Sequence, residues 1–331
     1  MQKVSICIPI YNTEKYIKKC VISLFEQTYP YIEYIFIDDK SPDNSINIVK
    51  KLINTYHKED KCIIISHDRN KGLAAARNSG VAASTGEFIM HVDSDDYLEN
   101  NAVELVIKKQ QEDDADIVSF GFITEYPQYK VESHPPLFKN GTDMCKQLIK
   151  REVNMNLCGR LYKTSLYKAH NVSAKEGADM GEDYQVAPIL AYYAKNVSSL
   201  QIALYHYNCL NPNSFCYSFS AKKQAQSEES TKILMDFFKN KPDFKEAVSI
   251  GWLNIHIAWA KKFTKTFSKE NKERYRRNTQ RIHQIDKTFW KKISFKNRVI
   301  LITSSSYFIG YTYINTMRWL KKIYHMIGNA N

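Results

Sequence analysis

With 331 residues, 44% of them hydrophobic, the chain has an ordinary globular composition and room for one large domain with an appendage, or for two domains. Seven cysteines, an odd number without a CxxC pair, fit reduced thiols in a cytosolic protein and argue against a zinc site or a disulfide frame. The net charge of +12 suggests nucleic acid until it is located: residues 261–331 carry 17 Lys/Arg and 3 Asp/Glu, a net of +14, whereas the preceding 260 carry 30 and 32, a net of −2.

The chain opens with "MQKVSICIPIYN", one lysine and a short apolar run that breaks at Pro9. It reads as a buried strand, not as a signal peptide. Further β-rich runs stand at 32–39, 61–67, 87–93 and 116–122, with helical stretches near 14–27, 44–57, 72–84 and 99–112. In the first of these helices Tyr16, Ile17, Cys20, Leu24 and Phe25 share one face. Strands apolar on both faces, alternating with helices, predict a mostly parallel, Rossmann-like α/β sheet covered on both sides. Ligands of such sheets lie beyond the carboxyl ends of the strands. After Phe122 the pattern loosens: 124–142 reads as a loop or a surface ribbon, helices return near 142–151 and 182–195, and a β-like run covers 199–208. From about Ala221 the chain reads as basic helices, so a boundary is expected near 220, giving units 1–220 and 221–331.

No GxxxxGK[ST] and no GxGxxG follows the first strand, which counts against an ordinary ATPase or a dinucleotide enzyme. A nucleotide bound here needs a metal and basic side chains for its phosphates. "IMHVDSDDYL" (89–98) supplies the acids: Asp93, Asp95 and Asp96 fall at a strand end, more carboxylates than one helix cap needs. Oxygen ligands of this kind suit Mg²⁺ or Mn²⁺, which complete their shells with water and substrate phosphate. "IDDKSPDNS" (37–45) ends another strand, where an aspartate can accept the imide N–H of uracil, or Ser41 and Asp43 can make a plain turn and cap. "DRNKGLAAARNSG" (68–80) predicts a tightly packed helix starting at the mouth, with Arg77 either on a phosphate or base or on the surface. "ADMGEDYQ" (178–185) puts Glu182 and Asp183 in a first helical turn, where helix capping and general-base chemistry are both open readings.

These motifs, in this order and spacing over about residues 3–215, resemble the family 2 glycosyltransferases, inverting enzymes with the GT-A fold, of the kind that build bacterial surface polysaccharides. The resemblance implies that Pro9, Tyr11 and Asp39 hold the nucleoside base, that Asp93 faces ribose and metal, that Asp95 binds the metal, and that Asp183 is the general base. Lys40 stands where the family has glycine, which predicts a turn of different shape. "NLCGRLYK" (156–163) resembles a stretch that has lysine at the position of Arg160, which approaches the diphosphate or packs. "YHYNCLNPNS" (205–214) resembles the family's late Tyr–x–Tyr…Asn–Ser segment, in which His206 is a satisfied histidine or a further metal ligand.

The function expected is metal-dependent transfer of a sugar from a nucleoside-diphosphate donor, a UDP-sugar, to a saccharide or lipid-linked acceptor. The alternatives are a sugar-1-phosphate nucleotidyltransferase, for which the loop after the first strand lacks a Gly-rich basic sequence, and a non-catalytic nucleotide-sugar-binding protein. Nucleic acid is not an expected partner, because the basic tail has no reader motif. From Val299 to Met317 the tail has no charged residue, yet its serines, threonines and tyrosines make it a poor span. An amphipathic helix on the anionic inner face of the cell membrane is expected there, with packing on the catalytic domain as the alternative.

Overall fold

The computed structural model describes residues 2–211, 220–283, 285–303 and 306–328. Two compact units divide the chain: Met1–Leu148 with Val153–Phe237, and Ile149–Glu152 with Phe238–Asn331.

The first unit runs β1 (Val4–Ile10), α1 (Ile17–Phe25), β2 (Ile32–Asp38), α2 (Ser45–Thr55), β3 (Cys62–Ser66), α3 (Leu73–Ala83), β4 (Phe88–His91), β5 (Tyr97–Leu98), α4 (Ala102–Asp113) and β6 (Ile117–Glu125). It continues with β7 (Lys130–Ser133), α5 (Gly141–Lys150), β8 (Arg160–Lys163), α6 (Thr164–Lys168), α7 (Glu182–Tyr193), β9 (Val197–Asn208) and α8 (Ala221–Phe238). Among the described residues the strands form one sheet in the order β3-β2-β1-β4-β8-β6-β9-β5, with β7 on β6. The first four are mutually parallel, β8 runs antiparallel to both β4 and β6, and β9 is parallel to β6. All seven residues of β1 are buried, as its two-faced apolar sequence requires. Phe25 from α1 packs edge-on against Tyr34 and Phe36 of β2. On α3, Ala74, Ala75 and Ala76 are buried, and their small side chains let the helix lie close to β1 and β2.

The parallel α/β half agrees with its sequence pattern to within a few residues at each end. β4 stops at His91, so Asp93 lies in the loop beyond the strand instead of at its last position. The ribbon at 124–142 is in part a β6–β7 hairpin, with Thr124 opposite Val131. The units part after Phe237, one helix beyond the expected boundary. The reason is visible in α8: Ser230 Oγ donates to the Met180 carbonyl at 3.1 Å and Gln226 Nε2 to the Gly177 carbonyl at 2.6 Å, which ties the helix to the segment leading into α7.

The second unit contains α9 (Lys245–Phe263), α10 (Lys269–His283), α11 (Phe295–Ile302) and α12 (Tyr307–Gly328). Its core includes Leu253, Ile257, Phe263, Tyr275, Ile282, Leu301 and Ile314. The uncharged stretch 299–317 is therefore divided between two helices, with Ile300, Leu301, Tyr307 and Ile314 turned into that core. No helix among the described residues is long and apolar enough to cross a membrane.

Candidate active site

The chain turns into α3 at Gly72, with φ at +92°. A Cβ there would lie 2.4 Å from Asp179 Oδ1, so the position has no room for a side chain. Asp179 accepts the Ala74 N–H at 3.1 Å and thereby satisfies a free donor in the first turn of α3. One turn on, Asn78 Nδ2 donates to the Ala174 carbonyl at 2.7 Å, and its Oδ1 accepts the Ala174 N–H at 3.1 Å. Two motifs far apart in sequence, around 72–78 and 174–183, are thus one clamp.

Arg77 sits inside this clamp and is 4% exposed. Its Nη2 lies 3.0 Å from Asp93 Oδ1 and 3.8 Å from Asp183 Oδ1, and its Nε lies 3.5 Å from Glu182 Oε1. Burial disfavours its charge, yet the acids around it, Asp93 and Asp183 foremost, hold the guanidinium firmly protonated. The arginine is neither on the surface nor laid open to a ligand; it is the counter-ion of three carboxylates.

Glu182 and Asp183 start α7 behind Gly181, whose φ is +95°. Burial and the neighbouring Asp183 push the Glu182 carboxyl well above the usual range, with Arg77 opposing. Burial also raises Asp183, against Arg77 and against the Leu157 N–H that donates to its Oδ1 at 3.2 Å. The two differ in access: the Glu182 side chain is 6% exposed and that of Asp183 21%. Of this pair, Asp183 is the more exposed carboxylate.

The Asp93–Asp96 loop is latched by β9 and the residues after it. Tyr205 Oη accepts the Asp93 N–H at 3.1 Å and donates to Asp96 Oδ2 at 2.7 Å. Asp96 Oδ1 takes the Asn208 N–H at 2.8 Å, so Asp96 is a buried structural acid, not a ligand group. Asp95 is raised by burial and then by Asp93, accepts from Asn211 Nδ2 at 3.0 Å, and has no Lys or Arg partner among the described residues. No group of three or more His, Cys, Asp or Glu side chains able to hold an ion is found among the described residues. Ions that take one or two protein acids and draw the rest from water and phosphate do not require such a group.

Asp39 is 3% exposed. Its Oδ1 meets His67 Nδ1 at 2.7 Å and the Lys71 N–H at 2.8 Å, and its Oδ2 takes the Gly72 N–H at 2.8 Å. A carboxylate accepts about four such bonds, which leaves capacity on Oδ2. Pro9 is buried in β1, and Tyr11 just beyond it is 48% exposed. Lys40 adopts φ +57°, so the turn keeps the left-handed shape that glycine favours, and the change expected there does not occur. Ser41 and Asp43 make the turn network: Ser41 Oγ donates to Asp43 Oδ1 at 2.6 Å.

Two further candidates are engaged elsewhere. Arg160 is 5% exposed, with its Nε on Ser119 Oγ at 3.2 Å and its two terminal nitrogens on the carbonyls of Asn156 and Asn154. It packs, and does not extend to a diphosphate. His206 stacks on Tyr97 with ring centroids 4.0 Å apart, and its nitrogens face Glu99 at 2.7 Å and Glu125 at 3.3 Å, which leaves none for an ion. The Asn213–Ser214 end of the late segment lies outside the described residues. Sequence reasoning missed Asp179, His67 and Asn211. The signal for Asp179 was an acid beside "MGED" that no cap required.

An open sheet with helices on both faces and acids gathered at its mouth defines the GT-A class of α/β proteins. The family model described as Glycosyl transferase family 2 matches residues 5–169. EpsJ of Bacillus subtilis, an uncharacterized glycosyltransferase, is 30% identical over 240 residues, 70% of this chain and 68% of that protein. EpsH of the same organism is 31% identical over 211 residues, 62% of this chain and 60% of EpsH, so that match spans less than two thirds of the relative. This chain belongs to glycosyl transferase family 2. Residues 1–349 of S. aureus TarS, solved in complex with UDP-GlcNAc, superpose with a TM-score of 0.75 at 19% identity, covering 96% of this chain and 92% of that one; the likeness is one of fold.

Proposed function

We propose that this chain is a metal-dependent inverting glycosyltransferase that moves a sugar from a UDP-sugar to a hydroxyl of a saccharide or lipid-linked acceptor. One observation carries the reading: Asp93 and Asp183 approach the same Arg77 nitrogen, at 3.0 and 3.8 Å. The acid assigned to the donor and the acid assigned to the acceptor are therefore one guanidinium apart. Family membership supports the reaction class, and the UDP-GlcNAc complex of TarS supports the donor class.

In this reading Pro9, Tyr11 and the free capacity of Asp39 Oδ2 receive the base. Asp93 and Asp95 would hold Mn²⁺ or Mg²⁺, which supplies charge neutralisation for the departing diphosphate. Asp183 accepts the proton of the acceptor hydroxyl as that oxygen attacks the anomeric carbon opposite the leaving group. Glu182, with its side chain 6% exposed against 21% for Asp183, offers an acceptor less access and does not compete as base. A nucleotidyltransferase finds no support, because no Gly-rich basic loop follows β1.

The test is a panel of UDP-sugars assayed for hydrolysis and transfer with Mn²⁺, with Mg²⁺ and with excess EDTA. EDTA is expected to silence the protein, added metal to restore it, and Asp95→Asn to lower turnover by about 10²-fold or more without loss of fold. Full activity in EDTA sinks the metal assignment. Nucleotide-sugar binding without any turnover leaves the non-catalytic binder standing.

The helical unit is proposed to rest on an anionic membrane surface. Support comes from its exposed Phe295, Ile302, Phe308, Ile309 and Trp319, alongside 17 Lys/Arg in residues 261–331. Full-length protein is expected to sediment with anionic vesicles at low salt and to release at high salt. Equal sedimentation with neutral vesicles removes the idea.

A further inference from the structure

The second unit has an open concave pocket of about 370 Å³ lined by α9, the start of α11 and residues 149–152. Arg151, Lys261 and Lys292 line it, against one carboxylate, Glu152; Ser294 and Asn297 add polar groups. Each cation is there for a structural reason. Arg151 follows α5 with φ at +59°, and the carbonyl before it is fixed by Asn254 Nδ2, which donates to Lys150 O at 2.7 Å. Lys261 ends α9 half-buried, and its ammonium is bonded to a neutral partner, Asn297 Oδ1, at 2.8 Å. Its charged neighbours are Lys296 and Arg318, which together with burial hold it below the usual lysine range. Lys292 pairs with Glu246, but both side chains are largely exposed, so that pair is weak and exchangeable. Ser294 caps α11 by accepting the Asn297 N–H, which sets the positive end of that helix beside the same wall.

An excess of cations around a concave space, one of them (Lys261) without an acid partner among the described residues, is a site for an anion. The volume exceeds what a bare phosphate fills and is in the range of small-molecule sites. Among the described residues no aromatic side chain lines it, so none of them offers a nucleobase a stacking face. Glu152, Ser294 and Asn297 offer partners for hydroxyl groups instead. We infer that this pocket binds a phosphate ester of a sugar or polyol.

The experiment is calorimetry on the full chain with glycerol 3-phosphate and glucose 6-phosphate, each in saturating UDP, followed by Lys261→Met and Lys292→Gln. Both esters are expected to bind the wild type with UDP present. Each variant is expected to bind at least tenfold more weakly, with unchanged melting and unchanged hydrolysis of the donor. The inference is overturned if neither ester binds, if UDP displaces them, or if both variants bind as the wild type does. Inorganic phosphate binding as tightly as the esters overturns the ester assignment. Displacement of the esters by phosphatidylglycerol vesicles overturns a soluble ester as the occupant in favour of a lipid headgroup. Ester binding by a wild type that turns over no donor overturns the transferase reading alone.

Discussion

Asp183→Asn is expected to bind the donor within about threefold of wild type and to lose about 10²- to 10⁴-fold in turnover, the usual worth of a general base. The amide keeps the shape of the carboxylate and can still accept the Leu157 N–H that reaches Oδ1 at 3.2 Å, so α7 stays in place. It cannot take a proton. The pH profile gives a second handle. Burial raises the wild-type Asp183 carboxyl, and a base must be ionised to act. The rate therefore falls as pH drops through that raised value, at a higher pH than an exposed aspartate would give. Donor affinity from calorimetry and single-turnover rates separate the two effects. A variant that turns over at a tenth of the wild-type rate or better places the base elsewhere.

Arg77→Met is expected to cost more than activity. It leaves Asp93, Glu182 and Asp183 without their shared cation, two of them in the same helical turn. Removing one partner from a buried ionic cluster costs roughly 3–5 kcal/mol. For a unit of this size that corresponds to a melting point lower by about 10 °C. The carboxyls answer by taking up protons, so turnover is lost as well. Arg77→Met combined with Glu182→Gln removes one of the stranded acids and is expected to recover much of the stability without recovering turnover. That sign of coupling distinguishes a counter-ion from a donor contact, because a residue facing the nucleotide would change the donor KM and leave melting alone. Wild-type melting of Arg77→Met refutes the counter-ion role.

The parallel half of the fold was legible because its strands are apolar runs of four to seven residues between amphipathic helices. β5, β8 and α6 were not, since two to five residues cannot display a period. The acids at the mouth were legible as a crowd that no cap needed. Their division of labour was not. Asp96 and Asp95 are adjacent, yet the first is latched by Tyr205 and Asn208, whereas the second has one side-chain partner among the described residues, Asn211. Arg77 read as a ligand-facing or surface residue because a helix pattern gives spacing and not the neighbours of a face. What buries it is the segment 174–183, about a hundred residues later in the chain. The two readings open for Arg160 and for His206 could not be told apart in the sequence for the same reason: their partners, Asn154 and Asn156 for one and Glu99 and Glu125 for the other, lie on loops or strand ends whose approach no periodicity encodes.

The clamp between α3 and the start of α7 also sets an order of assembly. The bonds that shape Asp39 join residues 28 to 33 positions apart. Those that close the α3–α7 clamp and latch the Asp93–Asp96 loop join residues 96 to 116 apart. Closing longer loops costs more chain entropy before any contact rewards it, and chains fold from the amino end as they are made. A nascent chain that has emerged through residue 93 already carries every partner of Asp39, whereas the α7 acids that face Arg77 and the Tyr205 hydroxyl that holds Asp93 have yet to be made. The Asp39 pocket can therefore take its shape early, and the carboxylate cluster around Arg77 only when the second half of the sheet arrives.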